Sequence, residues 1–229
     1  MIKVIGNFIH MNDQLILKFP TQKAYLKEDF YVSPSNEKAY DFVNSWPKWI
    51  KSIVNIFGPH GSGKTHLANI LRKKTSTLEI ESESLNEKVF LEFKTKEALI
   101  IENMNKNIYE NLLFSLWNFV LQDNKYLLIT SANPLNNYNF QLPDLKSRVN
   151  SCISIGINLP SDELISVILA KNFSDRQITV EKKHIDYIIK RIDRSYEKIS
   201  QFILTLDKYS LKKGTPFSLK LIKEVLKMI

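Results

Sequence analysis

The chain has 229 residues, of which 44% are hydrophobic, enough to bury a core as one domain or as two small lobes. It contains no run of about 18 apolar residues, so no membrane span is expected, and its start lacks the apolar core of a secretory signal. The formal net charge of +8 suggests nucleic acid as a partner, but the basic residues are scattered in short clusters, which favours an ordinary solvated surface.

The first predicted elements surround a glycine-rich loop. Residues 1 to about 22 show no clear periodicity and are expected to form a tail or a loose first strand. The segment SPSNEKAYDFVNSW predicts a helix, which Ser33 or Ser35 can cap and whose first turn suits Pro34. SIVNIFG then predicts a short buried strand that enters the loop, and KTHLANILRKK predicts the helix that leaves it.

Three further apolar runs predict buried strands: EALIIEN, KYLLITSANP and SCISIGINLP. The apolar segment IYENLLFSLWNFVLQD predicts a helix between the first two of them. Because continuous apolar strands alternate with helices, we expect a parallel sheet that is covered on both faces. After Pro160, four segments have helical spacing: SDELISVILAKNF, VEKKHIDYIIKRI, YEKISQFILTLDKYSL and SLKLIKEVLKM. The chain is therefore divided into a tail (1–22), an α/β domain (23–158) and a small all-helical domain (159–229).

The loop fits the phosphate-loop pattern at every required position: Gly58, Pro59, His60, Gly61, Ser62, Gly63, Lys64 and Thr65. Its glycines let backbone N–H groups turn inward onto phosphate oxygens. Lys64 then reaches the β- and γ-phosphates, and the Thr65 hydroxyl can ligate Mg²⁺. The helix that follows, with His66 in its first turn, presents the positive end of its dipole to the same anion. Nucleotide binding with Mg²⁺ is the prediction.

A magnesium-orienting acid is expected at the end of a neighbouring strand, and ALIIEN offers Glu102. The usual residue is aspartate, and enzymes that hydrolyse well often follow it with a second acid. Here the next residue is Asn103, which cannot take a proton from water. Slow intrinsic hydrolysis is therefore expected.

Other chemistries find little support in the sequence. The four histidines show no metal-ligand spacing, and there is no Gly-x-Ser-x-Gly or Cys-x-x-Cys motif. The single cysteine, Cys152, is expected to be a small buried hydrophobic residue in a strand. A reducing, cytoplasmic location fits this cysteine usage.

The motifs together resemble a known family. The phosphate loop, LIIEN, LLITSANP, LPDLKSRV and KRIDRSYEKISQFILTLDKYSL occur in the order found in AAA+ proteins of the DnaA branch. With KEDFYVSPSN and PFSLKLIKEVLKM, the chain is similar almost from end to end to the Hda family, DnaA-related regulators that inactivate the initiator after replication starts. The resemblance implies an AAA+ core with a helical lid, ADP or ATP with Mg²⁺ as cofactors, and Tyr31 and Val32 among the nucleotide-binding residues.

The resemblance also implies roles for arginines. Arg148 in LPDLKSRV matches an arginine finger that projects toward a neighbouring subunit's nucleotide. Arg194 in KRIDRSY matches the lid arginine that senses bound nucleotide, and Arg191 is a weaker candidate for that role. In TSANP, Ala132 stands where DnaA-like proteins usually have aspartate, so Asn133 is the candidate for the polar contact there.

The tail contains QLILKF, which resembles the motif that binds the sliding clamp. In such a peptide Leu15, Leu17 and Phe19 enter an apolar groove while Gln14 hydrogen-bonds at its rim. Six residues of this kind also suit an ordinary strand, but in an Hda-like chain we favour the clamp ligand.

These features favour a regulator over an initiator. The short stretch from Lys64 to Glu102 leaves little room for the helical insertion with which initiators grip single-stranded DNA, and no helix-turn-helix domain follows the helical lobe. The expected partners are DnaA, whose ATP hydrolysis the regulator stimulates, and the sliding clamp (the β subunit of DNA polymerase III). DNA contact is expected to be indirect or weak, no membrane is involved, and self-association is compatible with the fold. The alternatives are a DNA-binding factor of the helicase-loader type and a self-sufficient P-loop enzyme such as a small-molecule kinase.

Overall fold

The structure, a computed structural model, describes residues 30–176, 178, 180–213 and 217–229. The predicted clamp ligand, Gln14, Leu15, Leu17 and Phe19, lies outside the described residues. The strands are β1 (Ile53–Phe57), β2 (Thr77–Glu81), β3 (Ala98–Met104), β4 (Tyr126–Ser131) and β5 (Ile153–Gly156). The helices are α1 (Glu37–Asn44), α2 (Lys64–Arg72), α3 (Glu87–Phe93), α4 (Glu110–Gln122), α5 (Pro143–Ser151), α6 (Asp162–Asp175), α7 (Lys182–Ile189), α8 (Tyr196–Lys213) and α9 (Leu219–Leu226).

The five strands form one parallel sheet in the order β2-β3-β4-β1-β5. Alternate residues of each strand enter different cores, because successive side chains of a strand point to opposite faces. Leu99 and Ile101 of β3 join the core under α3, α4 and α5, whereas Ala98 and Ile100 join the core under α1 and α2. Since all strands run in the same direction, the sheet has an amino edge, where every strand begins, and a carboxyl edge, where every strand ends.

Helices α6–α9 pack around a separate apolar cluster. Its members include both stripes that the helical spacing predicts: Ile185, Ile188 and Ile192, with Ile189 partly buried, and Ile199, Phe202, Ile203 and Leu206. The predicted α/β sheet with a helical second part is therefore confirmed. None of the helices in the described part of the chain is long and apolar enough to cross a membrane.

The start of α1 differs from the prediction. The helix begins at Glu37, and its N-cap position is Asn36 rather than Ser33 or Ser35. The two serine hydroxyls are 2.7 Å from each other and bond together, so neither caps the helix. The Ser33 carbonyl accepts hydrogen bonds from the N–H groups of Asn36 and Glu37, which places a turn where the helix was expected to start.

Three elements were not predicted, namely β2, α3 and α5. Cys152 is also not inside a strand: it lies half-buried between α5 and β5. Burial raises the pKa of its thiol above the ordinary value, which disfavours the reactive thiolate form.

Candidate phosphate-binding site

The glycine-rich loop lies at the carboxyl edge, between the end of β1 at Phe57 and the start of α2 at Lys64. Gly61 and Gly63 have φ angles of 77° and 95°, in the left-handed region that glycine adopts without steric cost. Gly63 occupies the N-cap position of α2, and no side chain caps that helix end. Backbone N–H groups of the loop and of the first turn of α2 are therefore the donors that this loop offers to an anion.

Lys64 spans the loop from the inside. Its Nζ atom donates hydrogen bonds to the carbonyls of Gly58, at 2.8 Å, and Pro59, at 2.9 Å. Burial lowers the pKa of Lys64, while the Glu102 carboxylate opposes that change. The ammonium is thus held beside the loop N–H groups, where phosphate oxygens would compete for it with two neutral carbonyls.

The acid predicted near the end of β3, Glu102, lies beside the first turn of α2. The Thr65 hydroxyl donates to Glu102 Oε2 at 2.7 Å, and Glu102 is only 3% exposed. Burial raises the pKa of Glu102, the Thr65 hydrogen bond and Lys64 lower it, and Glu79 and Glu81 raise it further.

Two buried oxygens near the loop, Glu102 Oε1 and Ser62 Oγ, have no hydrogen-bond partner among the described residues. A carboxylate oxygen is a ligand that Mg²⁺ takes in proteins, and a hydroxyl can donate a hydrogen bond to a phosphate oxygen. The residues present therefore fit both a phosphate and a divalent cation.

A β-bulge aims Glu102 at the loop. In the pairing of β3 with β4, Ile101 lies opposite Ile129 and Met104 opposite Ser131, so β3 has one residue more than β4 in between. The bulge residue Asn103 has a φ angle of 54°, which asparagine tolerates better than most residues.

The Asn103 side chain is also fixed. Its Nδ2 donates to Glu81 Oε2 at 3.0 Å, and its backbone N–H donates to Thr130 Oγ1 at 3.1 Å. The residue that follows the acid is therefore a structural amide that holds the bulge and offers no base.

The segment before α1 adjoins the loop. Phe30 lies so close to Gly63 that a β-carbon on that glycine would be 2.7 Å from the Phe30 ring, and Phe30 also packs on the buried His66 with ring centroids 5.0 Å apart. The exposed side chains of Tyr31 and Val32 come next. The Asn36 side chain holds their backbone, since its Nδ2 donates to the Tyr31 carbonyl at 3.0 Å.

The helical part contacts the loop through Tyr196, the first residue of α8. A β-carbon on Gly61 would lie 3.1 Å from the Tyr196 β-carbon. The Tyr196 hydroxyl donates to the carbonyl of Asn158 at 3.3 Å, and burial raises its pKa. A residue of the helical part is thus locked between the phosphate loop and the segment that follows β5.

The other candidates at this edge lie on the surface. Arg194 Nη2 lies 3.0 Å from Asp162 Oδ2, in an ion pair that is largely exposed. The guanidinium of Arg191 stacks on the Tyr187 ring at 3.7 Å. His60 and Asn133 are exposed.

Arg148 lies away from the loop. It belongs to the last turn of α5, where Nη2 is 3.3 Å from Asn118 Oδ1, and it lines a cavity of about 310 Å³ together with Lys51, Ser52 and Ile53. Ile53 is the first residue of β1 and the other two precede it, whereas the loop follows the end of β1. Five residues at about 3.3 Å each separate the two by about 16 Å. Arg148 and the loop are therefore at opposite edges of the sheet.

One polar residue beside the site, Asn55 in the middle of β1, was not predicted from the sequence. It is fully buried, and its Nδ2 donates to the carbonyl of Ile129 at 3.1 Å and to Ser131 Oγ at 2.8 Å. Its Oδ1 accepts from the N–H of Leu135 at 3.2 Å, and Ser131 Oγ donates to the Asn133 carbonyl at 2.7 Å. Asn55 thus fixes the turn after β4 beside the loop. In the sequence, the feature that could have indicated this role is a single asparagine inside the apolar run IVNIF.

The chain is similar to replication initiators. It is 24% identical over 234 residues to the chromosomal replication initiator protein DnaA of Borreliella afzelii, a match that covers 91% of this chain and 48% of that protein. The chain therefore spans about half the length of the curated relatives it matches. No protein-family model matches it.

Solved structures give the fold. Domain III of Thermotoga maritima DnaA matches with a TM-score of 0.76 at 21% identity, over 91% of this chain and 98% of that one. AMPPCP-bound DnaA from Aquifex aeolicus matches with a TM-score of 0.68 at 18% identity, over 83% of this chain and 67% of that one. The fold is that of an AAA+ P-loop module with a helical part, and it is shared with domain III of DnaA.

Proposed function

We propose that the chain is an adenine-nucleotide-binding AAA+ regulator of the Hda type, which stimulates hydrolysis of DnaA-bound ATP. The observation that carries the proposal is the position of Arg148 at the edge opposite the chain's own phosphate loop. A guanidinium in that place cannot reach the nucleotide of its own chain. It is available to a nucleotide held by a partner, where its planar fork suits the charge that develops on the γ-phosphate.

The nucleotide of the chain itself would occupy the loop Gly58–Thr65. Lys64 and the N–H groups at the start of α2 would hold the phosphates, and Ser62 would use its unpaired hydroxyl there. Thr65 and Glu102 would hold Mg²⁺, which supplies positive charge against the phosphates when bound. Tyr31, Val32 and His66 lie on the side from which the adenosine would be covered, and Arg194 would sense the nucleotide from the helical part.

Intrinsic turnover is proposed to be weak. The Asn103 amide is engaged with Glu81 and has no proton-accepting group for an attacking water. Arg148, the group that would stabilise the transition state, is at the far edge. Steady hydrolysis by the isolated chain in the range of about 1–100 s⁻¹ that kinases reach would favour the self-sufficient enzyme instead.

The sliding clamp is the second proposed partner, through Gln14, Leu15, Leu17 and Phe19 of the tail. Removal of residues 1–22, or a change of Leu17 and Phe19 to alanine, should abolish co-elution with the clamp. Undiminished co-elution of both variants would leave QLILKF as an ordinary segment of the chain.

The decisive experiment is single-turnover phosphate release from DnaA–ATP in the presence of clamp-loaded DNA. Arg148→Ala should lose most of the stimulation, since an arginine supplied in trans accelerates hydrolysis by roughly 10³–10⁵. Arg148→Lys should rescue poorly, because a point charge cannot reproduce the fork. Arg72→Ala, which removes an exposed arginine of α2 in a surface ion pair, is the matched control and should stimulate normally.

All variants should keep ADP affinity and clamp binding. Full stimulation by Arg148→Ala would remove the mechanism and favour the helicase-loader alternative.

A further inference from the structure

The charge of this protein is distributed unevenly between the two edges of the sheet. The connections that lead into the strands, at the amino edge, are 45–52, 73–76, 94–97, 123–125 and residue 152. They contain seven lysines and two acidic residues: Lys48, Lys51, Lys73, Lys74, Lys94, Lys96 and Lys125, with Glu97 and Asp123. The connections at the carboxyl edge, 58–63, 82–86, 105–109, 132–142 and 157–161, contain only Glu83 and Lys106. The connections at the amino edge therefore carry a strong excess of positive charge, whereas those at the carboxyl edge have no net charge.

Helix ends explain part of this pattern but do not neutralise it. Helices α1–α5 end at the amino edge, and lysines are favoured at helix C-termini. Lys51 donates to the Ser151 carbonyl, Lys74 to that of Asn44, and Lys125 to those of Lys94 and Lys96. A carbonyl carries no net charge, so each of these ammonium groups still contributes a full positive charge to the surface.

The side-chain ammonium groups of three further lysines at this edge are unpaired within the described part of the chain. The side chains of Lys48, Lys94 and Lys96 make no hydrogen bond or ion pair with any residue that the structure describes. They are the groups that remain available to an anionic ligand.

A groove lies among these lysines. It has a volume of about 520 Å³, and its lining includes the rings of Trp46 and Tyr126, three lysines (Lys94, Lys96 and Lys125) and two acidic residues (Glu97 and Asp123). We call it the amino-edge groove. The rings of Trp46 and Tyr126 are half-buried and meet edge to face, with centroids 4.2 Å apart. Behind them lies Trp49, whose ring centroid is 5.4 Å from that of Trp46. The groove therefore places aromatic rings that are partly open to solvent beside three lysines and two acidic residues, and the remaining lysines of the amino edge add further positive charge around it.

We propose that the amino-edge groove binds single-stranded nucleic acid. Lysines hold the backbone phosphates, and bases contact the Trp46 and Tyr126 rings. Proteins that bind single strands combine these two features, a basic groove and aromatic side chains on which bases stack. The aromatic rings favour a single strand over a duplex, whose bases are already stacked, and the excess of lysines favours a polyanion over an ordinary peptide. The inference goes beyond the proposed function, because it involves neither the phosphate loop nor Arg148.

The test is fluorescence anisotropy of a labelled oligothymidylate of about 20 nucleotides, titrated with full-length protein over a series of salt concentrations. The edge variant carries Lys48→Glu, Lys94→Glu and Lys96→Glu. The control variant carries Lys182→Glu, Lys190→Glu and Lys220→Glu, three exposed lysines of the helical part, and has the same net charge. The edge variant should bind at least about tenfold more weakly, and the control should stay within about threefold of wild type. The slope of log K against log salt should become shallower by about 2 in the edge variant, as expected for three lost phosphate contacts on a single strand.

A second readout tests the aromatic contribution. Bound oligonucleotide should quench tryptophan fluorescence of the wild type, and Trp46→Phe, which keeps a ring in the aromatic cluster, should lose most of the quenching. Equal binding by the edge and control variants, or no binding by the wild type, would overturn the proposal. Equal affinity for a duplex of the same length, without quenching, would overturn the assignment to a single strand.

Discussion

The Thr65 hydroxyl donates to Glu102 Oε2 over 2.7 Å, and this hydrogen bond joins the first turn of α2 to the end of β3. It holds a carboxylate that is otherwise removed from water, with one oxygen unpaired among the described residues. Without a cation, such a group is a cost to the folded state, and the cost should be measurable.

We expect Glu102→Gln to unfold at a higher temperature than the wild type when no nucleotide is present at neutral pH. The pKa of Glu102 is raised in the folded state, mainly by burial, so the folded protein binds more protons than the unfolded one between the ordinary and the raised pKa. Stability of the wild type therefore falls as the pH rises through that window, and glutamine avoids the loss. The difference should disappear below the ordinary carboxyl pKa. Thermal unfolding followed by circular dichroism from pH 3.5 to 8 measures it, with the exposed Glu83→Gln as control.

Glu102→Gln should also lose the extra stabilisation that Mg²⁺ adds to bound nucleotide, because a neutral amide is a poor ligand for that ion. For the stability prediction, a Glu102→Gln variant that is no more stable than the nucleotide-free wild type at neutral pH would mean that burial of the Glu102 carboxylate costs nothing.

Lys64→Ala should weaken ADP binding by about 10- to 100-fold, which corresponds to the roughly 1.5–3 kcal/mol of a hydrogen bond to a charged group. The Lys64 ammonium is already held inside the loop by two carbonyls. Titration calorimetry with ADP is the measurement, and Lys106→Ala, an exposed lysine at the same edge, is the control. Equal affinity of Lys64→Ala and the wild type would remove the phosphate-loop assignment.

Gly61→Ala should destabilise the chain by about 1–2 kcal/mol, the cost of the left-handed conformation for a residue with a β-carbon. The new methyl group would also press on Tyr196, 3.1 Å away, and so disturb the contact between the loop and α8. Urea unfolding gives the loss of stability, and the adjacent exposed His60→Ala should stay within about 0.5 kcal/mol of wild type. If both variants unfold alike, the loop does not need the left-handed turn.

Asn55→Ala should lower the free energy of unfolding by about 2–3 kcal/mol, because it leaves buried donors and acceptors of β4 and of the following turn without partners. Asn137→Ala, in the same turn but exposed, is the control. Chemical denaturation monitored by tryptophan fluorescence distinguishes them. A loss below about 0.5 kcal/mol would mean that water replaces the amide at no cost.

The parts of the fold that could be predicted are those that depend on residues close together in the sequence. β1, β3 and β4 were predicted because they are buried on both faces and are continuously apolar. β2 was not, since TLEIE lies at an edge of the sheet, and two of its five residues are exposed glutamates. Helix α5 was missed because PDLKSRVNS is mostly polar and buries only Leu145 and Val149.

The residues of the candidate site also fall into a group that local sequence predicts and a group that it does not. The loop and Lys64 are local in the sequence, and Glu102 follows from the rule that strand ends meet at one edge. The contacts of Phe30 with Gly63 and of Tyr196 with Gly61 join distant parts of the chain, and no local pattern specifies them. The basic amino edge is similar: its lysines are dispersed along about 80 residues and come together only because every connection returns to the same edge.

Arg148 and the phosphate loop are separated by the length of β1, so under the proposed function each molecule has a donor end, which carries Arg148, and an acceptor end, which carries the phosphate loop. A molecule of this kind cannot satisfy both ends by pairing with a second copy about a two-fold axis through one shared patch. If the proposed role of Arg148 holds, contacts with AAA+ partners would be head to tail, and such contacts build rows or rings rather than closed pairs. At one end of such a row the nucleotide would have no neighbouring arginine finger, and at the other end Arg148 would have no neighbouring nucleotide. Under the proposed function, the position of this chain relative to the initiator in a mixed row would decide which nucleotide is hydrolysed.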